Sequence, residues 1–184
     1  MLTSINLTNK ERYLVIMGFV TESNIKPIME KISEINEFDN LKESEIANYI
    51  RKPIYLNVST FGGSVYTGLA LMGMIEMSKT KIITIGLGYI MSMGLYIFLS
   101  GHEKHVHKNA TFMYHEISTH IFDKLEGIKQ DIKETQRLQN MLDNVILSKT
   151  YITKEKLEEV KKLKQEWYIP ADEAIKLAIS EELI

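Results

Sequence analysis

The chain has 184 residues, 45% of them apolar, with no cysteine, 22 basic and 24 acidic residues and a net charge of -2. That length and apolar content suffice for one domain with a full core, and no Pro/Gly/Ser-rich linker divides it. The charge balance speaks against nucleic acid or an anionic membrane as the main partner. The missing cysteine excludes disulfides, thiol nucleophiles and thiolate metal sites, and fits a reducing compartment. Met1 to Asn6 shows no basic stretch leading into a long apolar run, so no secretory signal is read and a cytoplasmic location is expected.

In chain order, Tyr13-Leu14-Val15-Ile16-Met17 is a short β-branched and apolar run that predicts a strand stopped by Gly18. Glu22 to Ile35 then places Ile25, Ile28, Met29, Ile32 and Ile35 at helical spacing, and the polar stretch Lys42 to Asn48 extends the helix or forms a loop. Pro53 to Val58 predicts a second, buried strand, with Gly62-Gly63 marking the turn beyond it. Ser64 to Met77 carries Val65, Leu69, Met72 and Met77 near one helical face, and Lys81 to Leu87 returns to a strand. The apolar stretch Ile82 to Leu99 is broken by Thr84, Gly86, Gly88, Ser92 and Gly94, and reads as strand, turn and buried helix, not as a membrane span. Alternation of strands and helices at this rhythm predicts βαβ units and a mostly parallel core sheet.

The C-terminal part has another texture. Between Lys124 and Lys149, residues Leu125, Ile128, Ile132, Leu138, Met141, Leu142, Val145 and Ile146 form an apolar stripe with charges between them, which predicts one long amphipathic helix. About 25 helical residues span roughly 38 Å, more than this domain needs to cover its own sheet, so part of the stripe is expected to face another subunit. Thr153 is placed to cap a helix over Lys154 to Leu163, and Pro170 opens a final short helix through Ala174.

Three small-residue or polar sites fall at strand ends: Gly62-Gly63-Ser64, Ser92-Met93-Gly94 and Met113-Tyr114-His115. Loops at the ends of parallel strands converge on one crevice, which is where open α/β sheets place chemistry. A serine hydroxyl needs a base to take its proton, and the tetrahedral oxyanion that follows needs preorganised donors. Ser92 opens an apolar helix, so the Met93 N–H points out of its first turn, and Gly63, lacking a Cβ, lets a second N–H approach the same point. His115 is the base in this arrangement, and an acid from the C-terminal part has to orient its imidazole. A lone serine before a helix is far more often a cap; the joint arrangement is what points to acyl transfer.

The segments Gly62 to Gly68, Gly88 to Gly94 and Asn109 to His115, with Ala171-Asp172-Glu173-Ala174 near the end, resemble the Clp protease proteolytic subunit family, ClpP, from about Tyr13 to the C-terminus. The resemblance implies a crotonase-like α/β fold of repeated βαβ units in a single domain over residues 1–184. It implies a serine endopeptidase working inside a closed chamber, alone or assisted by an unfoldase. By likeness Ser92 is the nucleophile, His115 the base, Gly63 and Met93 the oxyanion donors, and Leu125 to Lys149 the handle helix, about 124–149, that joins stacked homo-oligomeric rings. Peptides or unfolded proteins are the implied substrates and a Clp-type ATPase the implied partner, with no cofactor or metal.

The chain departs from the family pattern in three places. Glu166 stands where the family has its triad aspartate, Glu116-Ile117-Ser118-Thr119 replaces a Gln-Pro and glycine-rich turn, and the segment before Tyr13 is short. Two other functions are therefore weighed: a catalytically impaired ClpP-like ring subunit, and a crotonase-type acyl-CoA enzyme, for which the Ser92 and His115 pair would be coincidental. His102, His105 and His107 have the spacing of metal ligands but are read as a polar hairpin edge. The ten methionines are read as core filler, and the Lys154 to Lys164 run as a solvated helix face.

Overall fold

A computed structural model describes residues 9–184; the expectation for Met1 to Asn6 lies outside them. After a short 3-10 turn, strand β1 (Tyr13–Val20) leads into helix α1 (Glu22–Glu45), β2 (Ile54–Gly63), α2 (Val65–Met77), β3 (Ile82–Met91) and α3 (Met93–Leu99). Then come β4 (Glu103–Val106), β5 (Thr111–Tyr114), α4 (Leu125–Lys149), α5 (Lys154–Leu163), β6 (Trp167–Pro170), α6 (Ala171–Lys176) and β7 (Glu182–Leu183). The sheet runs β1, β2, β3, β4, β7 with every pair parallel, as strand–helix alternation predicts.

β3 serves two partners along its length. Ile83 to Gly86 pair with β4, and Tyr89 to Met91 pair with β5, also parallel. β6 then returns antiparallel along β5, with Tyr114 opposite Trp167. The second half of β3 thus delivers Ser92 beside the strand that ends at Tyr114, and Ser92 N–H donates to the Met113 carbonyl at 2.9 Å.

The apolar spacing of α1 is realised in buried Ile25, Ile28, Ile32 and Ile35, and the helix continues through Lys42 to Glu45. At its far end the buried Asp39 carboxylate accepts from both Arg12 terminal nitrogens, at 3.0 and 2.6 Å, and from Thr80 and Tyr49. Burial alone would raise the Asp39 pKa; these donors outweigh it and hold the carboxyl below its ordinary value.

Several expectations need correction. β1 does not stop at Gly18: that residue pairs with Thr60, β2 then carries an extra residue, Phe61, and pairing resumes with Phe19 opposite Gly62 and Val20 opposite Gly63. The buried stripe of α2 is Gly68, Leu71, Met72 and Ile75, so Met77, two residues off that stripe, is 84% exposed. The histidine-rich segment is no hairpin, because β4 lies parallel between β3 and β7. His102 Nδ1 there accepts from the Ile82 N–H at 3.0 Å, and His105 Nε2 bonds the Glu103 carboxylate at 2.7 Å.

Helix α4 is covered unevenly. Leu138, Leu142 and Ile146 in its C-terminal half are buried, whereas Leu125 and Ile132 in its first half stay exposed. The Thr153 hydroxyl caps α5 by accepting from the Lys156 N–H, and Pro170 stands at the N-cap of α6. Among the described residues no helix is long and apolar enough to cross a membrane.

Candidate active site

Ser92 sits at the junction of β3 and α3 with φ 52° and ψ -125°. Positive φ is strained for a residue with a Cβ, at a cost of about 1–3 kcal/mol, and such strain collects where a side chain must be held out for use. The Ser92 side chain makes no capping hydrogen bond to α3. Its Oγ lies 2.8 Å from His115 Nε2, a hydrogen bond across 23 positions in the chain. Ser64, by contrast, is an ordinary cap: its Oγ accepts from the Thr67 N–H at the start of α2. The two serines that follow strand-end turns are thereby separated by what their hydroxyls do.

The Gly62-Gly63 turn is pressed against the same junction. Gly62 has φ +89°, and a Cβ there would lie 2.7 Å from Ser92 Cβ and 2.9 Å from Met93 N. Gly63, at φ +147°, leaves no room for a Cβ either, which would sit 2.5 Å from the Val20 carbonyl oxygen. Gly62 thus lets the turn close on Ser92, and Gly63 lets it close on β1 at Val20. Gly63, Ser92, Met93 and His115 line one small cavity of about 70 Å³, with Val65, Tyr96, Ile117, Ser118 and Leu142 completing its wall. A larger groove of about 580 Å³ between α1 and α2 lies elsewhere and holds neither Ser92 nor His115.

Glu166 immediately precedes β6, whose last pair with β5 sets Trp167 opposite Tyr114, and neither Glu166 nor His115 is itself a paired strand residue. Its side chain is turned to its own strand: Oε2 accepts from the Tyr168 hydroxyl at 2.5 Å, a bond that raises the Tyr168 pKa. Among the described residues no carboxylate is hydrogen-bonded to the His115 imidazole. The Glu166 carboxylate thus rests on Tyr168 and not on His115.

Sequence reasoning missed the polar cluster behind this site. Gln139 and Asp143 of α4 are 6% and 7% exposed and lie within the buried stripe of Leu138, Leu142 and Ile146. Two polar residues four apart inside an apolar stripe were the available signal, since buried polar groups require partners. The Asp143 carboxylate accepts from the Tyr114 hydroxyl, from Gln139 and from Lys161. Burial, with the Asp143 charge, pushes the Tyr114 phenol far above its ordinary pKa, so it remains a hydrogen-bond donor.

A parallel α/β sheet whose strand ends bring together a serine and a histidine beside a double-glycine turn is the frame of a hydrolase. The chain belongs to the Clp protease family, which matches it over residues 3–184. It is 26% identical over 153 residues to the ATP-dependent Clp protease proteolytic subunit 2 of Borreliella burgdorferi, covering 80% of this chain and 70% of that one. To the proteolytic subunit 3 of a Synechococcus strain it is 27% identical over 179 residues, 89% of this chain and 85% of that one. A solved structure of a ClpP1 point mutant from Listeria monocytogenes superposes with a TM-score of 0.78 at 18% identity, covering 95% of this chain and 92% of that one. The ClpP-type α/β fold implied by the three sequence motifs is the fold of this chain.

Proposed function

We propose that this chain is a serine endopeptidase of the ClpP type, with Ser92 as nucleophile, His115 as general base and Glu166 as the acid that orients it. The observation that carries this reading is the 2.8 Å hydrogen bond between Ser92 Oγ and His115 Nε2, made by a serine on a strained turn that caps nothing. As Ser92 Oγ bonds to the scissile carbonyl carbon, its proton passes to His115 Nε2. The carbonyl oxygen becomes an oxyanion that accepts from the Gly63 and Met93 N–H groups. His115 then returns the proton to the leaving amine as the C–N bond breaks, and water releases the acyl group by the same steps.

In this mechanism the Glu166 carboxylate leaves Tyr168 and accepts the His115 Nδ1–H. A fluorophosphonate should label Ser92 in the purified protein, which a crotonase-type acyl-CoA enzyme would not require. Glu166→Gln should slow labelling by roughly 10²- to 10⁴-fold, less than loss of Ser92, while Glu166→Asp retains or raises the rate. Unchanged labelling of Glu166→Ala would mean that the pair works without this acid. The engagement of Glu166 by Tyr168 favours one second reading, an impaired ring subunit; absence of labelling in the wild-type protein would select it.

The exposed first half of α4, with Leu125 and Ile132, is an apolar edge that its own domain does not cover. In the ClpP reading this handle packs against a facing subunit, building stacked rings around a chamber that a Clp-type ATPase feeds with unfolded protein. The chain should therefore elute as a large homo-oligomer, far above its 21.2 kDa mass. Leu125→Glu with Ile132→Glu should shift it to smaller species, since burying two new charges opposes docking. Monomeric behaviour of the wild-type chain at micromolar concentration would remove the ring from the proposal.

A further inference from the structure

His115 lies between two residues that the same pair of α4 side chains holds. On one side, the Tyr114 hydroxyl donates to Asp143 Oδ1 at 2.9 Å. On the other, the Ile117 N–H donates to Gln139 Oε1 at 2.8 Å. Gln139 Nε2 closes the circuit by donating to Asp143 Oδ1 at 2.8 Å, with the Tyr114 oxygen 3.4 Å away. Lys161 of α5 donates to Asp143 Oδ2 at 2.7 Å and so neutralises the buried charge.

The polarity of this circuit follows from donor and acceptor chemistry. An ionised carboxylate only accepts, so Asp143 obliges Gln139 to turn its NH2 group inward. The Gln139 carbonyl oxygen is then the end that faces the backbone, where it meets the only donor a peptide unit offers, the Ile117 N–H. Ile117 and Ser118 line the Ser92 cavity, and so does Leu142 of the same helix α4 as Gln139. The segment after β5 has no strand partner in the sheet, which ends at Tyr114 opposite Trp167. The Gln139 side chain supplies the hydrogen bond that a strand neighbour would have supplied.

We propose that Gln139, with its amide orientation set by Asp143, is a positioning residue for His115: it fixes the chain after Tyr114 so that Nε2 stays within reach of Ser92. This rests on the serine-peptidase reading above. Its consequence is that α4 contributes to the reaction from behind the base, through no contact with substrate. A displacement of about 1 Å in a catalytic group can cost on the order of 10²-fold in rate.

The test uses the full-length oligomer, with a fluorophosphonate as the probe of Ser92 and a fluorogenic short peptide as substrate. Gln139→Met, similar in length and without polar ends, should fold and assemble, yet label at a rate lowered roughly 10- to 10²-fold. The peptide kcat should fall in parallel, with KM held within about twofold. Gln139→Glu keeps an acceptor for the Ile117 N–H but sets a second carboxylate against Asp143. Its labelling rate relative to wild type should rise as pH is lowered, because the new carboxyl, once protonated, donates to Asp143 as the amide did. A merely structural role would lower the melting temperature without that pH signature. Should Gln139→Met fail to fold, Tyr114→Phe removes one donor to Asp143 while keeping the ring, and several-fold slower labelling is expected. Wild-type labelling rates in a folded Gln139→Met, or in Tyr114→Phe, overturn the proposal. Failure of the wild-type protein to label would instead sink the peptidase reading itself.

Discussion

Ser92→Ala is expected to abolish peptide hydrolysis while leaving oligomer size and melting temperature close to those of the wild-type chain. In the proposed mechanism the hydroxyl is the attacking group, and loss of such a group in a serine peptidase lowers kcat on the order of 10⁶-fold. Its removal costs the fold little. The Ser92 side chain caps no helix and its hydrogen bond runs to His115, which is only partly buried. The backbone at Ser92 is anchored independently, through the N–H bond to the Met113 carbonyl and through Leu95 N–H to the Ser92 carbonyl. Turnover of a fluorogenic peptide, fluorophosphonate labelling and thermal melting, measured on the same preparation, separate the two effects. Turnover retained by the alanine variant would refute the nucleophile assignment, and a collapse of the melting temperature would show that Ser92 holds the turn together.

How much of this could be read from the sequence differs between the front of the site and its back. Ser92, His115 and Gly62-Gly63 stand at strand ends, where alternating strand and helix patterns locate the loops without any tertiary information. Their convergence follows from parallel topology alone. The extent of β1 is less legible, because pairing runs on past Gly18 while the extra residue, Phe61, sits on the partner strand β2. The histidine-rich β4 reads locally as a hairpin edge because nothing near it in the chain announces its parallel pairing with β3 and with β7, which is only two residues long. Met77 carries an apolar side chain on the outer side of α2, where composition suggests burial but angular position decides. Gln139 and Asp143 stand among the polar residues between the apolar positions of α4. Only the fold reveals that Tyr114 and Ile117, more than 20 positions away, supply their partners. The Glu166 carboxylate shows the same limit: its place just before β6 follows from the chain, while its hydrogen bond to Tyr168 is visible only in the fold.

The second large effect is expected at a residue with no functional group. Gly62→Ala should lower peptide kcat and Ser92 labelling by roughly 10²- to 10³-fold, in the range seen when an oxyanion donor is lost or a reacting group is misplaced. The added Cβ would lie 2.7 Å from Ser92 Cβ, 2.8 Å from the Met91 carbonyl oxygen and 2.9 Å from Met93 N. Two of these neighbours are backbone atoms on either side of Ser92, so relief of the clash must move Ser92 or the Met93 amide. The φ of +89° adds strain of about 1–3 kcal/mol for any residue with a Cβ. A melting temperature only modestly lowered is therefore expected alongside the large kinetic loss. Gly73→Ala provides the matched control: it sits inside α2 with nothing within 4 Å of the new methyl. There the exchange should stabilise the helix by about 0.5–1 kcal/mol and leave kcat unchanged. If Gly62→Ala keeps wild-type turnover, the double-glycine turn does not press on the nucleophile as the contacts require, and Gly63 loses its claim as an oxyanion donor. If both alanine variants lose activity equally, the defect lies in helix α2 and not in the turn. A loss confined to Gly62→Ala locates the chemistry at the junction of β2, β3 and α3.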